Sequence, residues 1–506
     1  MDTGKFNPYN IRRKVYLIKS FIIVIIIAVS CNNPVSQVYY ERVITELNIG
    51  ESRDISLSNG EVVNIKLLSV LPVHDNVRKA IRSAAVRVLI DGEEVVLNTG
   101  NYNLPLTVGK VQIDCPVVKD YYLNSDRDPW KLKKDARFRI WPEDSPWIAP
   151  GTFVYPIKQA WFAGMTQASN EPTYVDWGED PLRDKIYYHS GVDFGGAEGL
   201  DTIISATDGI VISARNEKLE GYDHVPAYVI YDAVNILDER GWLIRYAHLD
   251  KTDDAVQLGA VINKGQNIGL IGKQGMSGGW VHLHFAVSSF SEYTGDWIAE
   301  DIYPYLWESY IREYNPDILA VARPHILAWT GDTVVLDGSK SQSLISDIIL
   351  YEWSLSDGKT VNGITQRMIY DRPGEYSEIL KVTDKNGNIS YDFTVVQVRS
   401  GEFPGKAIPT IHAGFFPTLG LKPGDTVKFF ARTFNSNTGN EVWDFGDGSP
   451  KVSVQSDFVE RNNYVTGKYS EALHSFKTPG NYVVKVEREN ENGYKAFICL
   501  HVVVNN

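Results

Sequence analysis

The chain has 506 residues, of which 43% are hydrophobic and 22% are charged, so its composition is that of a folded protein and excludes a wholly disordered one. Its length exceeds what one hydrophobic core supports and predicts about three to five domains. The net charge of −13, with no stripe of basic side chains, argues against nucleic acid as the main partner, because phosphate binding needs clustered Lys and Arg.

Residues 1–30 have the pattern of a signal peptide. Basic residues at positions 12–19 precede the apolar run Phe21–Val29, which is far shorter than the roughly 20 residues that cross a bilayer. The run ends in AVSC, which resembles the lipobox of bacterial lipoproteins. This resemblance implies that Cys31 is lipidated and that the exported protein is anchored to a membrane of the bacterial cell envelope. The alternative is an ordinary secretory signal beside a cysteine, which would give a secreted protein.

Residues 31–145 predict a small β domain. Segments such as AAVRVLIDGEEVVLNTG alternate apolar and polar side chains, and NG, DG and TG turn signals separate them. A bridge rich in Pro and Trp, RIWPEDSPWIAPG, then leads into the next region.

Residues 146–316 continue the strand pattern and contain a cluster of histidines. Only YPYLWESYIREY, near the end of this region, favours a helix. In GGWVHLHFAV, His282 and His284 would share one face of a strand, roughly 6–7 Å apart. Upstream, HSGVDFGG places His189 and Asp193 close together in the sequence.

These residue types suit a catalytic zinc site. Zinc takes three protein ligands in such a site, and two neutral imidazoles with one carboxylate leave a net positive charge that acidifies a water in the fourth position. The segment RYAHLD adds His248, so one member of the HxH pair would bind zinc while the other acts beside His248. We expect three glycines to let the chain turn tightly around the upstream ligands: Gly191, Gly195 and Gly196.

A family resemblance follows from the order of the motifs. HSGVDFGG, GLDTIISATDGIVISA, RYAHLD, LGAVINKGQNIGLIGKQG and VHLHF, at compatible spacings, resemble the lysostaphin and LytM-type zinc endopeptidases of metallopeptidase family 23. The resemblance covers nearly all of residues 146–316 and implies an antiparallel β fold with a groove over the sheet. It implies zinc ligands and paired catalytic histidines at these positions: His189, Asp193 and His284 for zinc, His248 and His282 for catalysis.

Two positions depart from the family pattern. Val281 stands where Pro is usual before HLH, and Ala286 stands where Glu is common after HLHF. Both lie outside the five chemical positions, so they bear on groove shape or substrate preference rather than on competence.

Beyond Ala322 the sequence contains an internal repeat of about 90 residues. GDTVVLDGSKS is answered by GDTVKFFARTF, and RPGEYSEILKVTDKNGN by TPGNYVVKVERENENG. A repeat of this length, with a Trp-bearing strand in each copy, favours two immunoglobulin-like sandwiches. WDFGDG at 443–448 resembles PKD domains, so we expect a divergent PKD-like domain at residues 317–401 and a PKD domain at 402–506. Such modules imply binding, spacing or presentation, and no chemistry.

The expected protein is therefore mainly β and multidomain, and the resemblance implies zinc-dependent hydrolysis of peptide bonds in peptidoglycan stem peptides or cross-bridges. His248 and His282 would take the proton of the attacking water, hydrogen-bond the oxyanion and help to protonate the leaving amine. Two alternatives stay open: an extracellular protease acting on proteins, and a non-catalytic envelope scaffold. A scaffold has no need of all five chemical positions, but the sequence does not separate a wall substrate from a protein substrate.

Overall fold

Strands form nearly all of the regular structure. The computed structural model describes residues 38–123, 125–172, 186–401, 408–459 and 464–506. The predicted signal peptide and Cys31 lie outside these residues. The described part contains one α-helix, and no helix in it is long and apolar enough to cross a membrane. The prediction of a mainly β, multidomain protein is confirmed.

The N-terminal part is a β-sandwich. Its strands are β1 (Val43–Leu47), β2 (Ser52–Ser56), β3 (Val62–His74), β4 (Ile81–Ile90), β5 (Glu93–Asn98), β6 (Leu106–Val108), β7 (Val111–Val118) and β8 (Ala136–Pro142), with a 3-10 helix at Lys119–Tyr122. They form two antiparallel sheets, β1-β8-β7-β6 and β2-β3-β4-β5. The strands of the second sheet alternate buried and more exposed side chains, whereas β7 and β8 of the first are buried along almost their whole length. The two sheets share one apolar core.

The histidine-rich region is built on a third, larger sheet. Its strands are β9 (Thr166–Gln167), β10 (Val192–Gly195), β11 (Thr202–Ile204), β12 (Gly209–Ala214), β13 (Glu217–Lys218), β14 (Val234–Asp238), β15 (Leu243–Ala247), β16 (Leu249–Thr252), β17 (Val261–Ile262), β18 (Asn267–Ile271), β19 (His282–Ser291) and β20 (Asp296–Ala299). The main sheet has the order β13-β12-β14-β15-β19-β10-β9, with β17 beside β12 and β20 beside β19. A small sheet, β11-β18-β16, shares its core.

The α-helix α1 (Tyr303–Tyr314) follows this sheet, where the sequence predicts a helix. Pro304 lies in its first turn, where a missing N–H costs nothing, and Asn315 ends it in the left-handed conformation with φ 44°. Leu306 and Tyr310, four residues apart on one face, are buried in the core of the main sheet.

The C-terminal part consists of two further sandwiches. The first contains β21 (Ile318–Leu319), β22 (Ile326–Trp329), β23 (Thr333–Asp337), β24 (Gln342–Ser343), β25 (Ile348–Ser354), β26 (Thr360–Asn362), β27 (Thr365–Ile369), β28 (Gly374–Asp384) and β29 (Ile389–Arg399). The second contains β30 (Thr410–Phe416), β31 (Val427–Phe434), β32 (Glu441–Asp444), β33 (Val452–Val454), β34 (Ser470–His474), β35 (Gly480–Glu489) and β36 (Lys495–Val504). Equivalent tryptophans, Trp353 and Trp443, are fully buried in the two cores.

One sheet runs through both C-terminal sandwiches. β28 pairs in parallel with β36 where Glu375 lies opposite Ala496, and the resulting order is β22-β29-β28-β36-β35-β32-β33. The buried carboxyl group of Glu375 accepts a hydrogen bond from the Ile411 N–H of the second sandwich (2.8 Å) and one from the Gln397 amide of its own sandwich (3.1 Å). Burial raises its pKa to about 7. The repeat predicts two sandwiches, but their shared sheet is visible only in the structure; the predicted domain limits stay predictions.

Candidate metal centre

Two neighbouring strands bring a carboxylate and an imidazole together. Asp193 on β10 lies directly opposite His284 on β19, and Gly195 lies opposite His282. Directly opposed residues of an antiparallel pair place their side chains on the same face of the sheet. The two histidines of HLH therefore share the face on which Asp193 lies, as their alternation predicts.

His189 completes a triangle of donor atoms. Its Nε2 lies 2.9 Å from His284 Nδ1 and 3.1 Å from Asp193 Oδ1, and His284 Nδ1 lies 2.9 Å from that same oxygen. Ligand atoms around tetrahedral zinc, with bonds of about 2.0–2.1 Å, are separated by roughly 3.3 Å. The three side chains, all largely buried, thus fit a metal ion.

Glycines position the ligands in two different ways. Gly191 has φ 126°, and a Cβ there would lie 2.6 Å from the Phe285 carbonyl oxygen, so the turn between the ligands requires glycine. Gly195 and Gly196 are not in the left-handed region; a Cβ on Gly195 would instead lie 2.7 Å from the Met165 carbonyl oxygen. They permit close packing of neighbouring chain rather than the tight turn expected from the sequence.

Burial and the neighbouring charges strongly shift the pKa values of the side chains in the cluster. Burial alone would raise the pKa of Asp193, but the imidazoles of His189 and His282 lower it well below its ordinary value. Burial lowers the pKa of His284 to about 4 in spite of its contact with Asp193. Asp193 is therefore ionised and His284 neutral at neutral pH, which are the forms that bind a metal.

His248 and His282 lie beside the triangle with their ring centroids 4.6 Å apart. Nδ1 of His248 lies within hydrogen-bond distance of the Gln274 carbonyl oxygen (2.9 Å) and of Oδ2 of Asp232 (3.1 Å). Since these acceptors fix the proton on Nδ1, Nε2 is the basic nitrogen of this imidazole. Sequence reasoning missed Asp232, whose only local signal is a carboxylate just before a strand.

His282 is held by Trp280. The two rings stack with centroids 3.8 Å apart and an interplanar angle of 15°, and His282 Nδ1 lies 3.1 Å from the Trp280 carbonyl oxygen. Its Nε2 is 3.7 Å from Asp193 Oδ2, outside the donor triangle. Burial lowers the pKa of His282 well below its ordinary value, so this imidazole is neutral.

A cleft of about 260 Å³ contains the whole cluster. Its walls come from three parts of the chain: Arg127 from the N-terminal sandwich, the histidine-rich sheet, and Gln397 and His412 from the two C-terminal sandwiches. The ring centroids of Trp280 and of His412, which lies on β30 of the second C-terminal sandwich, are 5.1 Å apart. The C-terminal modules, expected to have no part in the chemistry, thus contribute to the cleft wall.

The second C-terminal sandwich also holds the segment that precedes HLH, residues 273–281. Tyr469 accepts a hydrogen bond from the Val281 N–H at 2.9 Å, and Arg432 donates one to the Gly279 carbonyl oxygen at 3.1 Å. Tyr464 donates to the Gly275 carbonyl oxygen at 3.2 Å. The position of His282 therefore depends on contacts with a module more than a hundred residues further along the chain.

The five predicted chemical residues are thus brought together: His189, Asp193 and His284 in the triangle, His248 and His282 beside it. Their individual roles stay predictions. The predicted lipidation residue, Cys31, lies outside the described residues.

Comparison with known proteins supplies the family context. Residues 187–295 match the model of Peptidase family M23, and residues 316–398 match that of the PKD domain. The PKD match falls on the copy whose signature diverges. Among curated proteins the chain is similar to collagenase ColA of Clostridium perfringens, with 24% identity over 125 residues; this is 24% of the chain but only 11% of the collagenase.

Among solved structures, one similar chain is the catalytic domain of the prophage-encoded M23 protein EnpA from Enterococcus faecalis. The match has 16% identity and a TM-score of 0.19, and it covers 28% of this chain and 86% of that one. Another is Helicobacter pylori Csd3, with 13% identity, a TM-score of 0.21, and coverage of 47% and 72%.

Proposed function

Because the chain carries a Peptidase family M23 domain at residues 187–295, we propose that it is a zinc-dependent endopeptidase that hydrolyses peptide bonds in peptidoglycan, in stem peptides or cross-bridges. The observation that carries this proposal is the convergence of three donor atoms beside two further imidazoles in one cleft. A scaffold protein would not require that arrangement.

Zinc would be held by His189 Nε2, Asp193 Oδ1 and His284 Nδ1. When bound there, it supplies Lewis-acid chemistry, which acidifies a nearby water and polarises a carbonyl oxygen. The Ala168 carbonyl oxygen, 3.3 Å from His189 Nδ1, accepts a hydrogen bond from the protonated Nδ1, which leaves Nε2 free to coordinate.

His248 is the residue best placed to move a proton. Its Nε2 can accept the proton of the attacking water, and the carboxylate of Asp232 then stabilises the positive imidazolium. The same proton can be returned to the leaving amine. His282, neutral and fixed by the stacked Trp280 ring, lies beside His248 and would hydrogen-bond the oxyanion.

The cellular setting is part of the proposal. A signal peptide over residues 1–30 would export the chain, and a lipid on Cys31 would anchor it in the cell envelope, where peptidoglycan is within reach. A protein substrate is the second candidate, since the chain shares a 125-residue similarity with a protein named as a collagenase.

Digestion of purified peptidoglycan by the mature chain tests the proposal. We expect release of soluble peptides, with new amino termini detected by mass spectrometry and one zinc ion per chain detected by elemental analysis. His284→Ala should lose zinc and activity, whereas His248→Ala should lose activity and keep zinc. His224→Ala, in an exposed loop, is the matched control and should behave as the wild type.

Three outcomes separate the candidates. If the wild type releases no peptides from the wall and contains no zinc, the proposal that the chain is an enzyme is contradicted. Intact wall with bound zinc and cleavage of a denatured protein favours the second candidate. Cleavage that persists in His284→Ala contradicts the ligand assignment.

A further inference from the structure

Two arginines line the cleft beside the donor triangle. Arg127 and Arg245 both line the cleft of about 260 Å³ that holds the cluster, and both line an adjoining cavity of about 370 Å³. His284 lies in the wall of both cavities. A peptide that occupies the cleft would therefore pass these two cations.

The sheet register fixes how far Arg245 is from the metal ligands. On β15, Ala247 lies opposite His284 and Arg245 lies opposite Ala286. Arg245 is therefore on the same face as His284 and is its diagonal neighbour on the adjacent strand, roughly 7–8 Å away. An extended peptide covers that distance in about two residues.

Neither arginine has a carboxylate partner among the residues that the structure describes. Arg127 packs over the Tyr187 ring at 4.2 Å and Arg245 over the Tyr228 ring at 4.9 Å, while the Arg245 Nε–H reaches Asn235 Oδ1 at 3.5 Å. Asp296, which lines the adjoining cavity, is exposed and makes no ion pair in the described part of the chain.

Several buried arginines of this chain are paired with carboxylates. Four of them each contact a carboxylate: Arg137 with Glu46, Arg139 with Asp114, Arg323 with Asp392, and Arg488 with Glu441. Pairing is the expected arrangement, because an unpaired buried charge is costly. The two cleft arginines differ from these four: Arg127 is exposed and Arg245 is half-buried, and both offer their charge to the cleft of a protein whose net charge is −13.

The two cleft cations also act on each other. Burial lowers the pKa of Arg245, and the positive charge of Arg127 lowers it further. An anion bound between them would remove this repulsion and receive charge-assisted hydrogen bonds, for which planar guanidinium groups are well suited.

We propose that Arg127 and Arg245 form a subsite for a free carboxylate of the peptide substrate, within about two residues of the scissile bond. This inference rests on the proposed peptidase function and names its substrate class: peptides that carry a carboxylate near the cleaved bond. The carboxylate is either an acidic side chain or the carboxyl terminus of the peptide, and both offer the same two oxygens to the guanidinium pair.

The first test compares native peptidoglycan with the same material after carbodiimide amidation of its carboxyl groups. We expect the wild type to release peptides at least about tenfold faster from native wall, because charge-assisted hydrogen bonds are lost on amidation. In Arg245→Gln and in Arg127→Gln the ratio of the two rates should fall toward one. Arg245→Lys should give an intermediate ratio, because it keeps the charge but not the planar fork.

The matched control is Arg215→Gln, which removes an exposed arginine outside both cavities and should keep the wild-type ratio. Synthetic peptides made to match the cleaved sequence, with the side-chain carboxyl or the terminal carboxyl amidated one at a time, identify which source binds. Equal rates on native and amidated wall in the wild type, or an unchanged ratio in Arg245→Gln, overturn the subsite.

A binding measurement distinguishes failure of the subsite from failure of the proposed function. Calorimetry uses the soluble peptides that a glycan-cleaving enzyme followed by an amidase releases from the wall, native or amidated. Native peptides that bind the wild type at least about tenfold more tightly than amidated ones, with the preference lost in Arg245→Gln, support the subsite even when no wall is cleaved. Equal affinities overturn it even when cleavage is observed.

Discussion

The carboxylate of Asp232 lies 3.1 Å from Nδ1 of His248, and its side chain is completely buried. Three segments meet at this contact: Asp232 precedes β14, His248 follows β15 in a left-handed conformation with φ 67°, and Gly275 packs on the carboxylate. A Cβ on Gly275 would lie within 3 Å of three Asp232 atoms. This closely packed carboxylate is well suited to orient the imidazole and to stabilise its protonated form.

Replacing this carboxylate by an amide should impair proton transfer. We expect Asp232→Asn to lower kcat by roughly a hundredfold, because a neutral side chain no longer stabilises the His248 imidazolium. KM and the zinc content should change little, since Asp232 lies outside the donor triangle. Steady-state kinetics on a soluble wall peptide, with elemental analysis, measure the three quantities.

The control for this variant is Asp254→Asn, which changes an exposed carboxylate of the same domain and should keep the wild-type kcat. A wild-type kcat in Asp232→Asn would show that the buried carboxylate does not assist His248.

Removing a ligand of the donor triangle should abolish the response to chelation. A metal that binds only the folded chain raises the unfolding temperature, so a chelator should lower the Tm of the wild type. His284→Ala should contain little zinc, and its Tm should be the same with and without chelator. Differential scanning calorimetry checks both.

His224→Ala is the matched control, and its Tm should fall on chelation as in the wild type. If the chelator lowers the Tm of His284→Ala by as much as that of the wild type, the stabilising metal is bound elsewhere.

The sequence predicts which five residues lie together in the cleft, although their individual roles stay predictions. Alternation along GGWVHLHFAV places His282 and His284 on one face, and β19 has that arrangement. The family resemblance then points to His189, Asp193 and His248, which the fold brings to the same cleft.

The rest of the cleft could not be predicted, because it depends on which distant surfaces dock. Tyr469 lies 188 positions after Val281, and the hydrogen bond between them leaves no periodic signal in either segment. The same holds for Asp232, for Arg127 and for His412, whose local sequences are ordinary. The shared sheet between β28 and β36 likewise depends on pairing of edges that the repeat does not specify.

Loosening the second C-terminal sandwich from the HLH segment should affect activity. Tyr469→Phe removes the acceptor of the Val281 N–H and leaves a buried donor unpaired, which costs about 1–3 kcal/mol of stability. Because His282 follows Val281 directly, we expect kcat/KM to fall as well, about tenfold. Urea unfolding and peptide hydrolysis provide the two measurements.

Tyr482→Phe is the control on the same sandwich. In the described part of the chain its hydroxyl makes hydrogen bonds only with Thr478, at an exposed position, so stability and activity should change much less than in Tyr469→Phe. Activity that is lost equally in both variants would mean that the sandwich acts through its overall stability and not through residues 273–281.

His412 should make the stability of the protein depend on pH. Burial, with the charge of the opposing Arg432, lowers its pKa to about 3, whereas an unfolded histidine titrates near 6.5. The folded state therefore binds fewer protons, so the stability that neutral His412 contributes is complete above about pH 6.5 and is lost as the pH falls toward 3. At pH 5 this loss is about 2 kcal/mol.

We expect His412→Gln to lose about 2 kcal/mol less than the wild type between pH 7.5 and pH 5, measured by urea unfolding. His74→Gln, which changes an exposed histidine of the N-terminal sandwich, should follow the wild type. If the free energies of unfolding of His412→Gln and of the wild type change in parallel with pH, the pKa of His412 is not lowered in the folded protein, and the prediction is wrong.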